Sequence, residues 1–567
     1  MTNNYFLSLL VLVLSFVTLP YFNGLLTRAE AVATTMASVY CTPATPSYSN
    51  ACPFKLHQPT LTTLLKPFSN EFVEDGVTWN GVNALNRLRE ELLFAGYTIS
   101  GVQNVLQSTL VLHDQKKPKI SIYNPVLYLN LWQRDTRIQE NLNNLQSPLG
   151  ILVKLFYLGQ YVYYDDIQRV FNHSTTTTNN KCLFLSAATF NTLQSLGLWF
   201  FDPHSTRQRI RLPVMFHPVA SVGSPISPLL IVSDHASYSN DDGYSGIDRV
   251  YYLGIDSYAL LEAAPRPPKN THILDTCTGS GVQGIAASGY CAVAGGGCVL
   301  VLNDMNPRAI RFARFNLAMN LHALPGLVQP TMTDPMATSI GSWLKNSVVE
   351  GDVTALIQHE VYRFDLILAN PPYLPDPKET SALFGRGGGN LGDQILLSVV
   401  QASSLLLRHV PGATLAIVGN VANINTLSRR LAKAWYNNHH QHYNDTCKLD
   451  GIDTEKKDWM FALHAHGLVQ SVEDYSRMRN IEGYDSTGDN FRANGITDMS
   501  SHSFLFLQRM ETHSNSSGEG SSTCSAKKRK WVYHDLNLEG ILWDRISGIT
   551  GRTEQNIART NIYTHLK

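Results

Sequence analysis

Charged side chains are scarce in this chain. Asp, Glu, Lys and Arg make up 16% of 567 residues, and 45 basic residues cancel 45 acidic ones. A net charge of zero gives no strongly basic face, so composition lends no support to a long electrostatic footprint on nucleic acid; a local basic patch stays open. The eight cysteines contain no CxxC pair and no zinc-ligand spacing, and no metal site is predicted. His439-His440-Gln441-His442 lies in a polar stretch and reads as a solvated loop, with adventitious metal binding as the alternative. No internal repeat is found. What is abundant is apolar: 44% of residues, the proportion of a globular chain with room for two or three domains.

Residues 1–26 form a hydrophobic leader, almost uncharged from Tyr5 to Leu26. That is long enough to span a bilayer. It also reads as a signal peptide, with Ala29-Glu30-Ala31-Val32-Ala33 as a cleavage region. No Lys or Arg precedes it, so a buried helix or a gene-model extension stays open. A targeting or anchor segment is expected, with membrane association through residues 5–26 or delivery to an organelle; otherwise the chain is expected in the cytoplasm. Residues 27–70, rich in Thr, Pro, Ser and Ala, read as a linker. Residues 71–265 are expected to form a mainly helical N-terminal domain, a candidate for substrate recognition, with Val82, Leu85, Leu88, Leu92 and Leu93 at helical spacing. Pro265, Pro267 and Pro268 mark the next boundary.

Across residues 266–511 strands and helices alternate, at 272–275, 283–289, 298–303, 307–320, 363–369, 391–408 and 413–419. Alternation of this kind predicts a parallel sheet with helices on both faces. Trp459–His464 and Ser503–Leu507 read as a closing strand pair, and Asn437–Lys456 as a surface insertion. Residues 512–567 read as a polar insertion and C-terminal extension. Within it, Lys527-Lys528-Arg529-Lys530 is either a solvated surface run or a localisation or nucleic-acid patch.

Four features in this region carry chemistry. The strand Phe364–Ala369 empties into Asn370-Pro371-Pro372-Tyr373. Asn370 offers a carbonyl acceptor, Pro371 stiffens the loop and leaves its own carbonyl free, and Tyr373 offers a ring face for a planar group. A bare proline turn is the alternative. Upstream, Ile273-Leu274-Asp275 runs into Thr276-Cys277-Thr278-Gly279-Ser280-Gly281, a turn whose glycines allow a ligand close to the backbone. A nicotinamide enzyme would lay a pyrophosphate there, but Asp275 would repel it and can instead reach an ammonium group. Asp304 ends the next strand, where a carboxylate can accept both hydroxyls of a ribose. Asp352 follows a weaker strand, Val348–Glu350, and could accept from an adenine amino group.

Together these residues resemble the class I S-adenosylmethionine-dependent methyltransferases. An NPPY motif with this loop is most similar to the HemK/PrmC-type glutamine N5-methyltransferases, the "methyltransferase small domain" group; N6-adenine methyltransferases share the motif. The resemblance covers roughly residues 249–510. Weaker likenesses upstream, Phe94–Val102 and Ser233-Asp234-His235, point to the helical front domain of bacterial methyltransferases whose substrate is not established. The resemblance implies an α/β fold, a Rossmann-like seven-stranded methyltransferase sheet behind a mainly helical N-terminal domain. It implies S-adenosyl-L-methionine as cofactor, bound by Asp275, Thr278, Gly279, Gly281, Asp304 and Asp352, with Asn370, Pro371, Pro372 and Tyr373 as the catalytic loop. The implied reaction is methyl transfer to a planar amide or amine nitrogen. A protein glutamine, in a translation release factor, is the first substrate expected; a nucleic-acid base amine is the second, and a non-catalytic binding module the third reading. Cys277 is a departure, standing where many relatives carry glycine.

Overall fold

The computed structural model describes residues 79–110, 136–167, 186, 189, 193, 198, 200–201, 209–212, 214–219, 225–235, 249–328, 340–358, 363–375, 387–446, 459–466, 469–475, 487–510 and 530–537. The leader, the linker and most of residues 512–567 lie outside the described residues. Among the described residues no helix is long and apolar enough to cross a membrane.

The front of the chain opens with helices α1 (Trp79–Phe94), α2 (Ile99–Ser108), α3 (Thr136–Asn143) and α4 (Pro148–Leu152). On α1 the spaced residues Val82, Leu85, Leu88 and Leu92 are all buried. The Thr98 hydroxyl caps α2 by accepting from Gly101 N at 3.1 Å, which satisfies one of the free amides of a first turn. Short strands β1 (Val162–Tyr163), β2 (Phe200–Phe201) and β3 (Arg209–Arg211) pair antiparallel, and β4 (Val214–Pro218) and β5 (Leu230–Asp234) form a buried hairpin.

The second part alternates as the sequence predicts: α5 (Ile255–Ala263), β6 (His272–Thr276), α6 (Val282–Val293), β7 (Cys298–Asp304), α7 (Pro307–Asn320), β8 (Leu327–Val328), α8 (Ile340–Ser347), β9 (Val348–Glu350), β10 (Leu366–Ala369), α9 (Gln394–Leu406), β11 (Thr414–Ala422), α10 (Ile424–Thr446), β12 (Trp459–His466), β13 (Val469–Ser471), α11 (Thr487–Ala493), β14 (Asp498–Arg509) and β15 (Lys530–Asn537). The sheet order is β15-β12-β14-β11-β10-β6-β7-β8, with β9 beside β7 and β13 beside β14. The strands from β11 across to β8 run parallel, and β14 runs antiparallel to both β11 and β12. This is the Rossmann-like sheet that the resemblance implies, with one reversed strand, but it has ten strands where seven were expected. Alternate residues serve opposite layers. Ile367, Leu415, Ile417 and Leu505 pack with Leu396, Leu427, Leu431 and Trp435 on one side. Leu368, Val418 and Phe504 join Ile285, Phe312 and Leu260 on the other. Both faces are dry, which explains why the strands read as unbroken apolar runs.

Two elements differ from the sequence reading. Lys530–Asn537 does not stand apart as an extension but adds β15 to the sheet, parallel to β12. Helix α10 continues to Thr446, through the first part of the stretch read as a surface insertion; Leu427, Leu431, Ala434 and Trp435 give it a buried stripe.

Side-chain amides attach the front hairpin to this sheet. Asn316 Oδ1 accepts from Val232 N at 2.8 Å while its Nδ2 donates to Val232 O at 2.8 Å. One helical turn on, Asn320 does the same with Leu230, at 3.0 and 2.7 Å. The i, i+4 spacing on α7 thus matches the i, i+2 spacing of β5, and the two asparagines stand in for a neighbouring strand. Beside them, Arg308 Nε donates to Asp234 Oδ2 at 2.8 Å, and the same oxygen accepts from Val250 N at 2.8 Å. Cys291 and Cys298, both buried, form a disulfide from the end of α6 to the start of β7; the sequence reading assigned them no role.

Candidate active site at the carboxyl ends of the parallel strands

In-register parallel pairing fixes where the motifs fall. Thr276 lies opposite Ala369 on one side and Asn303 on the other, and Asp304 lies opposite Glu350. The loops that begin at Cys277, Met305, Gly351 and Asn370 therefore leave the sheet side by side at one rim. A lateral tie holds their stems together: Thr276 Oγ1 donates to Asn303 Oδ1 at 3.0 Å, and Asn303 Nδ2 donates to Gly351 O at 2.9 Å.

The loop after β6 turns tightly. Cys277, Gly279 and Gly281 all have positive φ, at 52°, 53° and 84°. Only glycine takes that region freely, so Cys277 occupies a position that glycine would fit with less strain. Its thiol is also pushed well above the usual range, first by burial and then by Asp304, Asp275 and Asp352. That places all three acids around one turn. A Cβ on Gly279 would meet Val250 at 3.9 Å, an ordinary van der Waals contact, so among the described residues nothing crowds the glycine.

Asp275 is fully buried. Its Oδ2 accepts from Thr278 Oγ1 at 2.7 Å and from Gly284 N at 2.8 Å, while its Oδ1 has no partner among the described residues. Burial pushes this carboxyl up to about 7, opposed by the bonds from Thr278 and Gly284. Thr278, read from sequence as a cofactor contact, directs its hydroxyl inward to Asp275; its geometry is that of a brace for the loop. Asp304 is half-buried. Its Oδ2 accepts from Gly279 N at 2.9 Å and its Oδ1 from Asn306 N at 2.9 Å, and burial raises its pKa. Met305 N donates to it as well, which leaves the carboxylate room for about one further donor. Asp352 is exposed, and its Oδ1 takes Thr354 N at 2.8 Å and Thr354 Oγ1 at 2.6 Å.

The Asn370 loop is held from three directions. Asn370 Nδ2 donates to Asp256 Oδ2 at 2.9 Å and lies 3.5 Å from Ser257 Oγ. An ionised carboxylate only accepts, so this contact sets the amide's orientation and turns Asn370 Oδ1 away as a carbonyl acceptor. Asp256 also takes a hydrogen bond from Tyr373, and burial raises its pKa against those bonds. The Tyr373 ring lies over Gly419, where a Cβ would come within 3.2 Å of Cδ1. Gly387 N donates to Leu374 O at 3.0 Å, so the glycine run after the motif is stapled to it. Pro371 is buried, and Pro372 and Tyr373 are half-buried.

Asp256 and Ser257 are the residues that sequence reasoning missed. They begin α5, and Ser257 O accepts from Gln283 Nε2 of α6 at 2.9 Å. One helix start therefore grips both the glycine loop's helix and the Asn370 loop. The only available signal was an acidic residue in the first turn of a helix, which reads by itself as a helix-dipole partner.

Neither a family model nor a curated protein matches this sequence. Among solved structures, similarity is found to a ribosomal protein L11 methylase from Lactobacillus delbrueckii subsp. bulgaricus, at 18% identity and TM-score 0.20 over 32% of this chain and 66% of that one. It is also found to TrmN from Thermus thermophilus, at 16% identity and TM-score 0.22 over 45% and 49%, and to Trm5b from Pyrococcus abyssi, at 11% identity and TM-score 0.27 over 55% and 63%. The chain thus spans less than two thirds of each of these proteins. The fold assignment rests on the strand order and direction given above.

Proposed function

We propose that the chain is an S-adenosylmethionine-dependent N-methyltransferase acting on a planar amide nitrogen, with a protein glutamine as acceptor. The observation that carries this reading is the pairing of Asn370 with Asp256 beside the glycine loop. It leaves a fixed carbonyl acceptor on the strand end adjacent to a loop suited to a cationic, ribose-bearing cofactor. The residues fit such a cofactor on three counts: a buried Asp275 oxygen with no partner among the described residues, a half-buried Asp304 carboxylate at the next strand end, and a Gly279 backbone that no Cβ shields from a ligand. When bound, S-adenosylmethionine supplies an electrophilic methyl group on a sulfonium. The chain's own work is then positioning. Asn370 Oδ1 and the Pro371 carbonyl accept from the two N–H groups of the acceptor amide and raise electron density on its nitrogen as charge develops. Tyr373 holds the plane of the amide, and the glycine loop keeps the nitrogen aligned with the methyl group.

A nucleic-acid base amine presents the same planar NH₂. Among the described residues, the side chains that contact Asn370 and Tyr373 include Asp256, Ser257 and Tyr251, acidic or neutral groups that do not attract a polyphosphate backbone; they favour the peptide acceptor.

Calorimetry of cofactor binding tests the donor half of the site. Wild type should bind one cofactor per chain, and Asp304→Ala should weaken binding by roughly 1–3 kcal/mol, the scale for hydroxyls left unpaired. No heat with wild type, or an unchanged dissociation constant in the variant, removes the cofactor reading.

The pH dependence tests Asp275. Burial raises its folded-state pKa to about 7, above the ordinary carboxylate value of the unfolded chain, so between these values the folded chain holds a proton that the unfolded chain has lost. Its contribution to stability is therefore full below the unfolded pKa and declines as pH rises through about 7. A cofactor ammonium needs the ionised form. Affinity is expected to fall about tenfold per unit as pH drops below the Asp275 midpoint, and Asp275→Asn should flatten that profile. A flat profile in wild type contradicts the role.

A further inference from the structure

At the far edge of the sheet, β12 and β15 bring together three side chains that sequence spacing keeps apart. His464 and His466 share one face of β12, and Asp535 lies opposite His464 in the pairing. The imidazoles stack with centroids 4.8 Å apart. His464 Nδ1 is 2.7 Å from one Asp535 oxygen and His466 Nε2 is 3.4 Å from the other. The three ligand atoms lie within 4.8 Å of one another. Both histidines are buried, and Asp535 is 41% exposed.

The Ser500 and Ser503 hydroxyls touch each other, and Ser503 Oγ lies 3.0 Å from His464 Nε2. The Tyr533 hydroxyl reaches the other side of the ring, 3.3 Å from His464 Nδ1 and 3.4 Å from Asp535 Oδ1. Nδ1 itself meets the Asp535 carboxylate at 2.7 Å, and a proton on Nδ1 would satisfy this one pair. A metal ion satisfies it and also accounts for His466 converging on the second oxygen. The Ser503–His464–Asp535 chain has the connectivity of a hydrolase triad, but Ser503 is 1% exposed and has no route to a substrate. Arg430 faces the same region, and its guanidinium is engaged by Asp393.

We propose that His464, His466 and Asp535 bind a divalent transition-metal ion that clamps β15 onto the sheet. Two imidazoles and a carboxylate suit the borderline ions, zinc foremost, and the exposed side of Asp535 leaves room for water as a fourth ligand. Ser503 acts as the outer partner that fixes the His464 ring. Metal-ligand spacing could not reveal the site, because His464 and Asp535 are 71 residues apart.

The test uses the full chain, stripped with a chelator and titrated with Zn²⁺ in a calorimeter, with Co²⁺ absorption as a coordination readout. One ion per chain and a higher unfolding temperature are expected. Asp535→Asn and His466→Gln should each weaken binding at least about tenfold, and Ser503→Ala by roughly 10- to 100-fold, with cofactor affinity unchanged. Ser503→Ala removes only a hydroxyl, so it keeps the test decisive if either ligand variant unfolds. No binding overturns the proposal. So does binding that survives Asp535→Asn and disappears on replacing His439, His440 and His442 by alanine, which would place the ion on that histidine run. Nitrogen NMR showing His464 protonated on both nitrogens, with or without zinc, would assign the cation as a proton.

Discussion

Asn370→Ala is expected to reduce turnover by at least about 100-fold, the scale for losing one aligned hydrogen-bonding partner in a transition state, with the cofactor dissociation constant nearly unchanged. The side chain sits on the strand end next to the glycine loop but, among the described residues, donates only to Asp256 and Ser257. Its loss removes the acceptor for the substrate amide and leaves every bond of the glycine loop in place. Asp256→Ala should move in the same direction by a smaller factor. Asn370 would then be free to flip and present its NH₂ where a carbonyl is needed. The conservative change Asp256→Asn keeps an oxygen acceptor for Asn370 Nδ2 and should restore most of the rate. Equal loss of turnover and cofactor affinity in Asn370→Ala would show that the residue belongs to the cofactor's half of the site. No rescue by Asp256→Asn would show that Asp256 supports the helix rather than the amide.

The second large effect concerns stability. Asn316→Leu removes the partners of Val232 N and Val232 O together with the donor to Ser280 O at 2.7 Å. Asn320→Leu strips Leu230 in the same way. All of these groups are buried, and each orphaned backbone group costs about 1–3 kcal/mol. With two orphaned groups Asn320→Leu should lose about 2–6 kcal/mol in denaturant unfolding, and with three Asn316→Leu about 3–9 kcal/mol, although leucine is close to asparagine in size. The double variant should lose less than the sum, because the hairpin edge released by the first change is already open to water. A loss below about 1 kcal/mol in either variant would mean that the hairpin edge is served by water instead. The effect should reach the site as well, since Asp234 at the end of β5 holds Val250, which lies over Gly279.

These expectations mark what the sequence could and could not carry. The strands of the parallel sheet were legible because both of its faces are buried, so each strand is a compact apolar run bounded by turns. The Asp275–Gly281 turn and the Asn370–Tyr373 loop were legible because their chemistry is contiguous. The structure brings them together at neighbouring strand ends as the alternation predicts. Cys277 gave a correct signal in reverse: a side chain at a position that glycine would suit has φ of 52°. What stayed hidden depends on contacts across long separations. Asp256 meets Asn370 across 114 residues. Thr278 reads as a ligand contact by its place in the loop, and its hydroxyl bonds the buried Asp275 carboxylate three residues back. Asn316 and Asn320 show only an i, i+4 polar pair, and nothing in the sequence says that a strand edge lies against them. The strand β15 is polar because it sits at a sheet edge, where one side stays wet, and so it read as an extension.

The most direct measurement of the central claim, that a methyl donor and a flat nitrogen acceptor meet at one rim of this sheet, is transfer of a labelled methyl group. The chain is incubated with methyl-labelled S-adenosylmethionine and a cell lysate, and the products are digested separately with protease and nuclease. The account predicts that label is incorporated by wild type, is released by protease and not by nuclease, and disappears with Asn370→Ala. Label released by nuclease alone would contradict the glutamine acceptor. Incorporation that persists undiminished in Asn370→Ala would contradict the site itself.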